Sequence, residues 1–389
     1  MTKTPDCPAK KQRCGGCPLL ALPYEEQLRQ KQELVGRFLG RFCAPDPILG
    51  MEVPFHYRNK AIATFAPGPK GKPVCGIYES HTHRVVPVRD CLLQDSRINE
   101  VVEAALSAAI RCRLSAFDED RGTGVLRHMV VRRGAHTGEV SVTVVTPSPF
   151  FPGSRDFVRA LRASCPDVAT VVQNINPRHT SAVLGSAQKV LYGKGFIEDE
   201  LCGLRFSVAA RAFYQVNPLQ TEQLYAAALA LAGLAGQERV IDAYCGIGTI
   251  ALAAAGRAKA VLGVELNAEA VRSAVRNARR NGIGNAEFLC GDAGELMTRM
   301  AEDGERADLV FFDPPREGAS EAFLEALVRL GPQKAIYISC NPETQARDLD
   351  YLTGRGYAAR RIQPVDMFPH TRHVETVCLL EKRRSALSK

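Results

Sequence analysis

Residues 242–252 read DAYCGIGTIAL, and the conformation of this stretch decides the fold of the half of the chain around it. It continues an apolar run, RVIDAY (239–244), and leads into TIALAAA (249–255), so it reads as a strand, a tight glycine turn and the start of a helix. Gly246 and Gly248 permit the sharp turn and let a ligand approach where a Cβ would intrude. The same texture recurs to the C-terminal side. AVLGVE (260–265), AEFLCGD (286–292), DLVFFDPP (308–315) and KAIYISC (334–340) are apolar runs separated by helical segments, the pattern of βαβ units in a parallel sheet. Segment 267–282, NAEAVRSAVRNARRNG, reads as a helix capped by Asn267 and followed by Gly282. Its periodicity puts Ala268, Val271, Val275 and Ala278 inward and Arg272, Arg276 and Arg279 on a solvated face.

The second strand of this region ends in Glu265, about twenty residues after the turn, where a carboxylate can accept from both hydroxyls of a ribose. The dinucleotide fingerprint requires a third glycine, which Thr249-Ile250-Ala251 does not supply. A cofactor without a pyrophosphate, S-adenosylmethionine, therefore suits the shorter loop better; the bland alternative is a structural glycine turn with Glu265 merely at the surface. FFDPPREG (311–318) closes the fourth strand, and its paired prolines stiffen a loop holding Asp313 at the carboxyl edge of the sheet, where open α/β folds bind ligands. The fifth strand delivers ISCNPET (338–344), with Cys340 at the same edge and placed as a nucleophile. Glu375, in FPHTRHVETVCLL (368–380), precedes a last β-like run that can return it to that crevice, or it is a surface carboxylate at a strand start.

The first half differs in texture. Short β-like runs such as HMVVRRG (128–134) and EVSVTVVTP (139–147), broken by Pro and Gly, read as an α+β domain, with the change near residue 210. Two domains, 1–210 and 211–389, are expected of a chain of 389 residues. No apolar run is long enough to span a membrane, and the N-terminus lacks a signal-peptide pattern, so a cytoplasmic location is expected. In that reducing compartment the thirteen cysteines are not expected to pair. Cys43, Cys112, Cys165 and Cys202 read as small core residues, whereas Cys7, Cys14 and Cys17 crowd a polar segment, CPAKKQRCGGC (7–17), and point to metal binding or chemistry. A net charge of +8 is compatible with a polyanionic partner.

FYQVNP (213–218), DAYCGIGTIAL, DPPREG (313–318), ISCNPET and HVETV (373–377), in this order, resemble the RNA uracil-C5 methyltransferases, which form 5-methyluridine in ribosomal and transfer RNA. YRNKA (57–61) and LRHMVVR (126–132) look like that family's central domain. The resemblance implies an α/β, Rossmann-like S-adenosylmethionine-dependent methyltransferase domain, preceded by an α+β central domain carrying an iron–sulfur cluster. It implies that the thiolate of Cys340 adds to carbon 6 of uracil, that carbon 5 then attacks the methyl group, and that Glu375 removes the carbon 5 proton before Cys340 is eliminated. Asp313 would hold the uracil or the cofactor, and Gln215, Tyr244, Glu265 and Asp292 match cofactor contacts. Thr249 stands where several relatives have Asn, and Asn341 where many have Asp.

Members that act on 23S ribosomal RNA carry four cysteines for a [4Fe-4S] cluster, which by resemblance are Cys7, Cys14, Cys17 and Cys91, with Cys75 the rival for the fourth place and zinc the rival metal. Transfer-RNA members typically lack the set, so 23S ribosomal RNA is the favoured partner and transfer RNA the alternative. A small N-terminal β-barrel, present in several relatives, is not expected here. RNA would then be gripped by Lys10–Arg13 and by Arg127, His128, Arg132 and Arg133, unless these are solvated faces. A monomer is expected. The competing readings are a methyltransferase acting on an exocyclic base nitrogen, which needs no nucleophilic Cys, and a non-catalytic iron–sulfur RNA-binding protein on the same fold.

Overall fold

The computed structural model describes residues 7–79, 82–178 and 182–383. Contacts divide the chain into two compact units, each drawn from separate segments. The first comprises the N-terminal residues up to Ala21, Pro54–Glu200 and Ser207–Pro218; the second comprises Leu22–Val53, Leu201–Phe206 and the chain from Leu219 onward.

In chain order the elements up to residue 209 are α1 (Tyr24–Leu39), β1 (Lys60–Pro67), β2 (Pro73–Tyr78), β3 (Val85–Pro87), α2 (Ser96–Arg111), β4 (His128–Arg133), β5 (Val140–Thr146), α3 (Ser154–Ser164), β6 (Val168–Ile175), β7 (Ala187–Tyr192), β8 (Phe196–Leu201) and β9 (Leu204–Ala209). The sheet of the first unit runs β3-β2-β1-β4-β5-β6-β7. It is antiparallel except at β5 and β6, which α3 joins as a crossover. Strand alternation sends Ala61, Ala63, Met129, Val131, Val142 and Val144 to one face, where they pack on Ile98, Val101 and Ala105 of α2 and Phe157 and Leu161 of α3. The opposite face is polar: Thr64, His128, Arg132, Ser141, Thr143 and Thr170 are all buried on it.

That alternation corrects one expectation from the sequence. Arg127, His128 and Arg132 are 4%, 7% and 3% exposed, so they form no RNA-gripping surface. Arg127 forks onto Glu119 at 2.8 and 3.0 Å and gives its other nitrogen to the carbonyls of Asn176 and Arg178. Arg133 is paired with Asp95 at 2.9 Å. Burial, helped by the Arg127 charge, pushes the His128 imidazole down to about 4, so it is neutral at physiological pH. A strand in the middle of a sheet spends its cations on internal acceptors. Lys10 and Lys11, in a 3-10 turn over Pro8–Gln12, are exposed.

From residue 218 the elements are α4 (Pro218–Ala232), β10 (Arg239–Ala243), α5 (Thr249–Ala255), β11 (Ala260–Glu265), α6 (Ala268–Arg280), β12 (Ala286–Cys290), α7 (Ala293–Glu302), β13 (Leu309–Phe312), α8 (Glu321–Leu330), β14 (Lys334–Ser339), α9 (Pro342–Thr353), β15 (Tyr357–Val365) and β16 (Glu375–Lys382). The second sheet runs β12-β11-β10-β13-β14-β16-β15, parallel from β12 to β14, with β16 inserted antiparallel between β14 and β15. This is a doubly wound α/β sheet whose strand order reverses between β10 and β13, the point where such folds bind ligands.

Within α6, Asn267 caps the start by accepting from the amides of Glu269 and Ala270, and Arg272, Arg276 and Arg279 are exposed. The buried stripe, however, is Ser273, Ala274, Asn277 and Ala278 rather than one centred on Val271 and Val275. The helix lies so close to the glycine turn that a Cβ on Gly248 would sit 3.2 Å from that of Ala274, while Asn277 donates to the Ile247 carbonyl at 3.1 Å. Small side chains fit there and valines do not.

Helix α1 belongs to the second unit, although a cut at residue 210 places it in the first domain. Its Val35 and Leu39 are fully buried in the core formed by Val310, Phe312, Tyr337 and Leu349. Of the cysteines read as core, Cys165 is buried and Cys43 and Cys112 are half-buried. Cys202 is exposed instead, because it forms with Gly203 the two-residue turn between β8 and β9, both at positive φ. Among the described residues no helix is long and apolar enough to cross a membrane.

Candidate active site and thiol cluster

At the end of β10 the chain turns through Tyr244, Gly246 and Gly248, at φ of +66°, +55° and +87°. The turn is held by carboxylates from beneath and beside. Asp242 is buried and accepts from the Ala251 amide in the first turn of α5 at 2.8 Å. Glu265 accepts from the amides of Gly246 at 3.1 Å and Asn267 at 2.8 Å. Thr249 finds a hydroxyl partner in Tyr225 at 2.8 Å. Burial pushes Asp242 up to about 8, and the charges of Asp313 and Glu265 push the same way. The turn is thus open on its glycine side and carries the Glu265 carboxylate at its edge.

Asp292 is exposed and spends one oxygen capping α7, accepting from the Glu295 amide at 3.0 Å. Its charge still reaches Tyr244, whose hydroxyl is pushed up to about 12 by burial, then by Asp292 and Asp348. Gln215 is half-buried in the first unit, on the segment that follows β9.

Three residues meet at the carboxyl edge of the central strands. β13 ends at Phe312, paired with Tyr337 of β14, so Asp313 emerges beside the last residues of β14. β14 ends at Ser339, paired with Thr376 of β16, so Cys340 emerges opposite Glu375. Their charges register on one another. Glu375 is 4% exposed, and burial and then Asp313 hold its carboxyl well above the usual range. Burial likewise raises Asp313. The half-buried Cys340 thiol is pushed up to about 11 by burial, then by Glu375 and Asp313, with Arg316 opposing. Two carboxyls so placed cannot both ionise freely, so in the free protein they retain a proton at neutral pH.

Buried polar groups fix the loops that carry these residues. The Arg316 carbonyl, in the loop after Asp313, accepts from Asn341 Nδ2 at 3.3 Å and Thr344 Oγ1 at 3.2 Å, both just after Cys340. Asn341 also caps α9 through the Glu343 amide. Asp348, fully buried on α9, accepts from the Ala319 amide at 2.8 Å and the Tyr337 hydroxyl at 2.6 Å, and pairs with Arg347. Gly318, at φ +84°, lies against this carboxylate; a Cβ there would be 2.8 Å from its Oδ2. Thr376, next to Glu375, donates to Gln345 at 2.6 Å. On the other side, Lys31 of α1 makes a buried ion pair with Asp366 at 2.5 Å, Tyr24 donates to the same carboxylate, and Gln27 accepts from the His370 amide. Helix α1 thereby secures the segment leading to Glu375. Sequence reading missed Asp348, Gln345 and Lys31; the only signal was three polar residues on the inward faces of amphipathic helices.

The thiols of the first unit form an electrostatic group. Cys17 is pushed up to about 12 by burial and then by Cys91, Cys14 and Cys7, with Arg58 opposing. Cys91 is raised by burial, with Cys14 and Cys7 adding to it. Cys75 is different: burial alone raises its thiol, and no other thiol acts on it. Among the described residues no three His, Cys, Asp or Glu side chains are posed as metal ligands.

Three comparisons with known proteins agree. The sequence profile of the family described as tRNA (uracil-5-)-methyltransferase matches residues 182–383. An uncharacterized RNA methyltransferase of Halalkalibacterium halodurans is 41% identical over 380 residues, covering 96% of this chain and 82% of the relative. Another, from Caldanaerobacter subterraneus subsp. tengcongensis, is 42% identical over 375 residues, covering 95% and 82%. Among solved structures, the Pyrococcus abyssi tRNA (uracil-54, C5)-methyltransferase in complex with S-adenosyl-L-homocysteine superposes with a TM-score of 0.80 at 28% identity, covering 95% of this chain and 86% of that one.

Proposed function

We propose a reaction from a plain premise: the chain belongs to the tRNA (uracil-5-)-methyltransferase family. It methylates carbon 5 of a uridine in RNA, with Cys340 as nucleophile and Glu375 as base. The observation that carries this reading is the meeting of Cys340, Glu375 and Asp313 at one sheet edge, set by the registers of β13, β14 and β16. S-adenosylmethionine, held by the glycine turn and Glu265, supplies an electrophilic methyl group. As the uridine binds, Cys340 and Glu375 each lose their proton to solvent, and the Cys340 sulfur bonds to carbon 6, which moves the ring electrons onto carbon 5 and the neighbouring carbonyl oxygen. Carbon 5 takes the methyl group. Glu375 then removes the carbon 5 proton, and the electrons left behind re-form the double bond as Cys340 departs. Asp313 restrains the ionisation of Glu375 and can accept from the ring N–H.

The test is RNA tritiated at carbon 5 of uridine. Tritium release should match methyl incorporation one for one; methyl transfer without release would place the methyl group elsewhere and defeat the reading.

For the substrate we favour 23S ribosomal RNA, on the cysteine set. The likeness to the P. abyssi tRNA (uracil-54, C5)-methyltransferase supports transfer RNA as the second reading. Mass-spectrometric mapping of 5-methyluridine with and without the gene separates them, since loss confined to transfer RNA overturns the ribosomal choice. Cys7, Cys14, Cys17 and Cys91 are the residues that would hold a [4Fe-4S] cluster, the donor set being four thiols of which Cys7 and Cys14 act on both Cys17 and Cys91. Protein purified without oxygen should be brown, with about four irons per chain. Cys91→Ser should lose most of the iron while Cys75→Ser keeps it. Stoichiometric zinc, or the opposite pattern of losses, would refute this assignment.

A further inference from the structure

Lys60 opens β1 directly opposite Arg132 in the antiparallel register with β4, and Arg58 precedes it by two positions. Like charges facing across strands repel. At Lys60 nothing compensates: the charged groups acting on its half-buried ammonium are Arg132 and Arg58, and among the described residues it makes no hydrogen bond or ion pair. Burial and those two cations pull the ammonium down to about 8. Arg132, by contrast, is spent. Its guanidinium lies under the segment after β9, donating to the carbonyls of Tyr214 at 3.3 Å and Ala212 at 3.1 Å. That segment carries Gln215, and its Val216 carbonyl accepts from the Asn59 amide at 2.8 Å. Lys60 and Arg58, two positions apart in extended chain, fall on one face, and among the described residues neither pairs with a carboxylate, Arg58 acting besides only on the Cys17 thiol. Two such cations beside a third that the fold holds fixed are the chemistry that grips a phosphate.

We propose that Lys60 and Arg58 bind a backbone phosphate of the RNA substrate beside the Gln215 segment, with Arg132 as a fixed positive charge beneath them. The proposal rests on the RNA-methylation reading and adds where the first unit takes hold of the strand. A phosphodiester stays anionic at every physiological pH, and Lys60 becomes fully charged when one is bound.

The test uses the full chain and a fluorescein-labelled single-stranded (U)12 RNA, with affinity followed by anisotropy over a range of salt. Lys60→Met should bind roughly five- to tenfold more weakly at low salt and flatten the slope of log K against log salt by about 0.7. Lys60→Arg should restore both, and affinity for S-adenosylhomocysteine should not change. Arg58→Met, measured in the same way, guards against a folding defect confined to Lys60→Met. Wild-type affinity and slope in both Met variants would overturn the site. So would a loss of S-adenosylhomocysteine binding with RNA binding intact, which would assign the anion to the cofactor's carboxylate. Normal RNA binding without tritium release would instead defeat the reaction and leave this site standing.

Discussion

Cys340→Ala is expected to abolish methyl transfer and carbon 5 tritium release together, by about four orders of magnitude or more. Carbon 5 of uracil is too poor a nucleophile to take a methyl group unless a bond at carbon 6 first releases electron density into the ring. Among the described residues the other thiols of this sheet are badly placed to replace it: Cys245, after β10, is buried and its thiol is raised by burial, Cys290 ends the outermost strand β12, and Cys378, on β16, is fully buried in the core. The variant should fold, because Cys340 is only half-buried and the turn around it is closed by others. Ser339 Oγ accepts from the Asn341 amide at 3.1 Å, and Asn341 caps α9. Unchanged binding of S-adenosylhomocysteine by calorimetry would verify that. Cys340→Ser should be as inactive, since a half-buried hydroxyl beside two carboxyls ionises far less readily than a thiol already pushed up to about 11. Methyl transfer that survives Cys340→Ala would move the chemistry to another residue.

The elements of this site were legible in the sequence because each sits where a strand stops. DPPREG, ISCNPET and HVETV mark the ends of β13 and β14 and the start of β16, and a parallel sheet brings such ends to one edge. What escaped was the pairing of distant segments. Asp348 looks like any acid on an amphipathic helix until the Ala319 amide and the Tyr337 hydroxyl, from two other elements, converge on it. Arg127 and Arg132 look like an RNA-binding stripe in a linear reading, because only the sheet order places β4 between β1 and β5. Helix α1 precedes the first unit's sheet in sequence, yet its partner Asp366 lies 335 residues away. Periodicity reports that a face is buried; it does not name what covers it. Lys60, within YRNKA, is silent in a linear reading for the same reason, since its conflict with Arg132 exists only once the register is known.

Glu375→Gln is expected to separate the two halves of the reaction. The amide keeps the size and the strand register but cannot take the carbon 5 proton, so the enzyme should transfer one methyl group and stop. Elimination of Cys340 requires the electrons of that C–H bond; while the proton stays, the sulfur stays. A protein–RNA adduct resistant to denaturant should accumulate, dependent on both S-adenosylmethionine and the Cys340 thiol, and visible as a shifted band on a denaturing gel. The same substitution should alter stability with a definite sign. The folded protein holds the Glu375 carboxyl above its ordinary value of 4.5, up to about 8, chiefly through burial, so the native state binds this proton more tightly than the unfolded chain. Its favourable contribution is complete below about pH 4.5 and is lost as pH rises through about 8. Relative to wild type, Glu375→Gln should therefore melt progressively higher between pH 5 and pH 9, by on the order of a few kcal/mol at the alkaline end. Glu375→Asp, which keeps a carboxylate but shortens it, should retain some turnover and leave little adduct. If Glu375→Gln turns over normally, the base lies elsewhere; if it neither turns over nor traps RNA, Glu375 acts before the methyl transfer, in charging the Cys340 thiol, and the order of proton transfers proposed here is wrong.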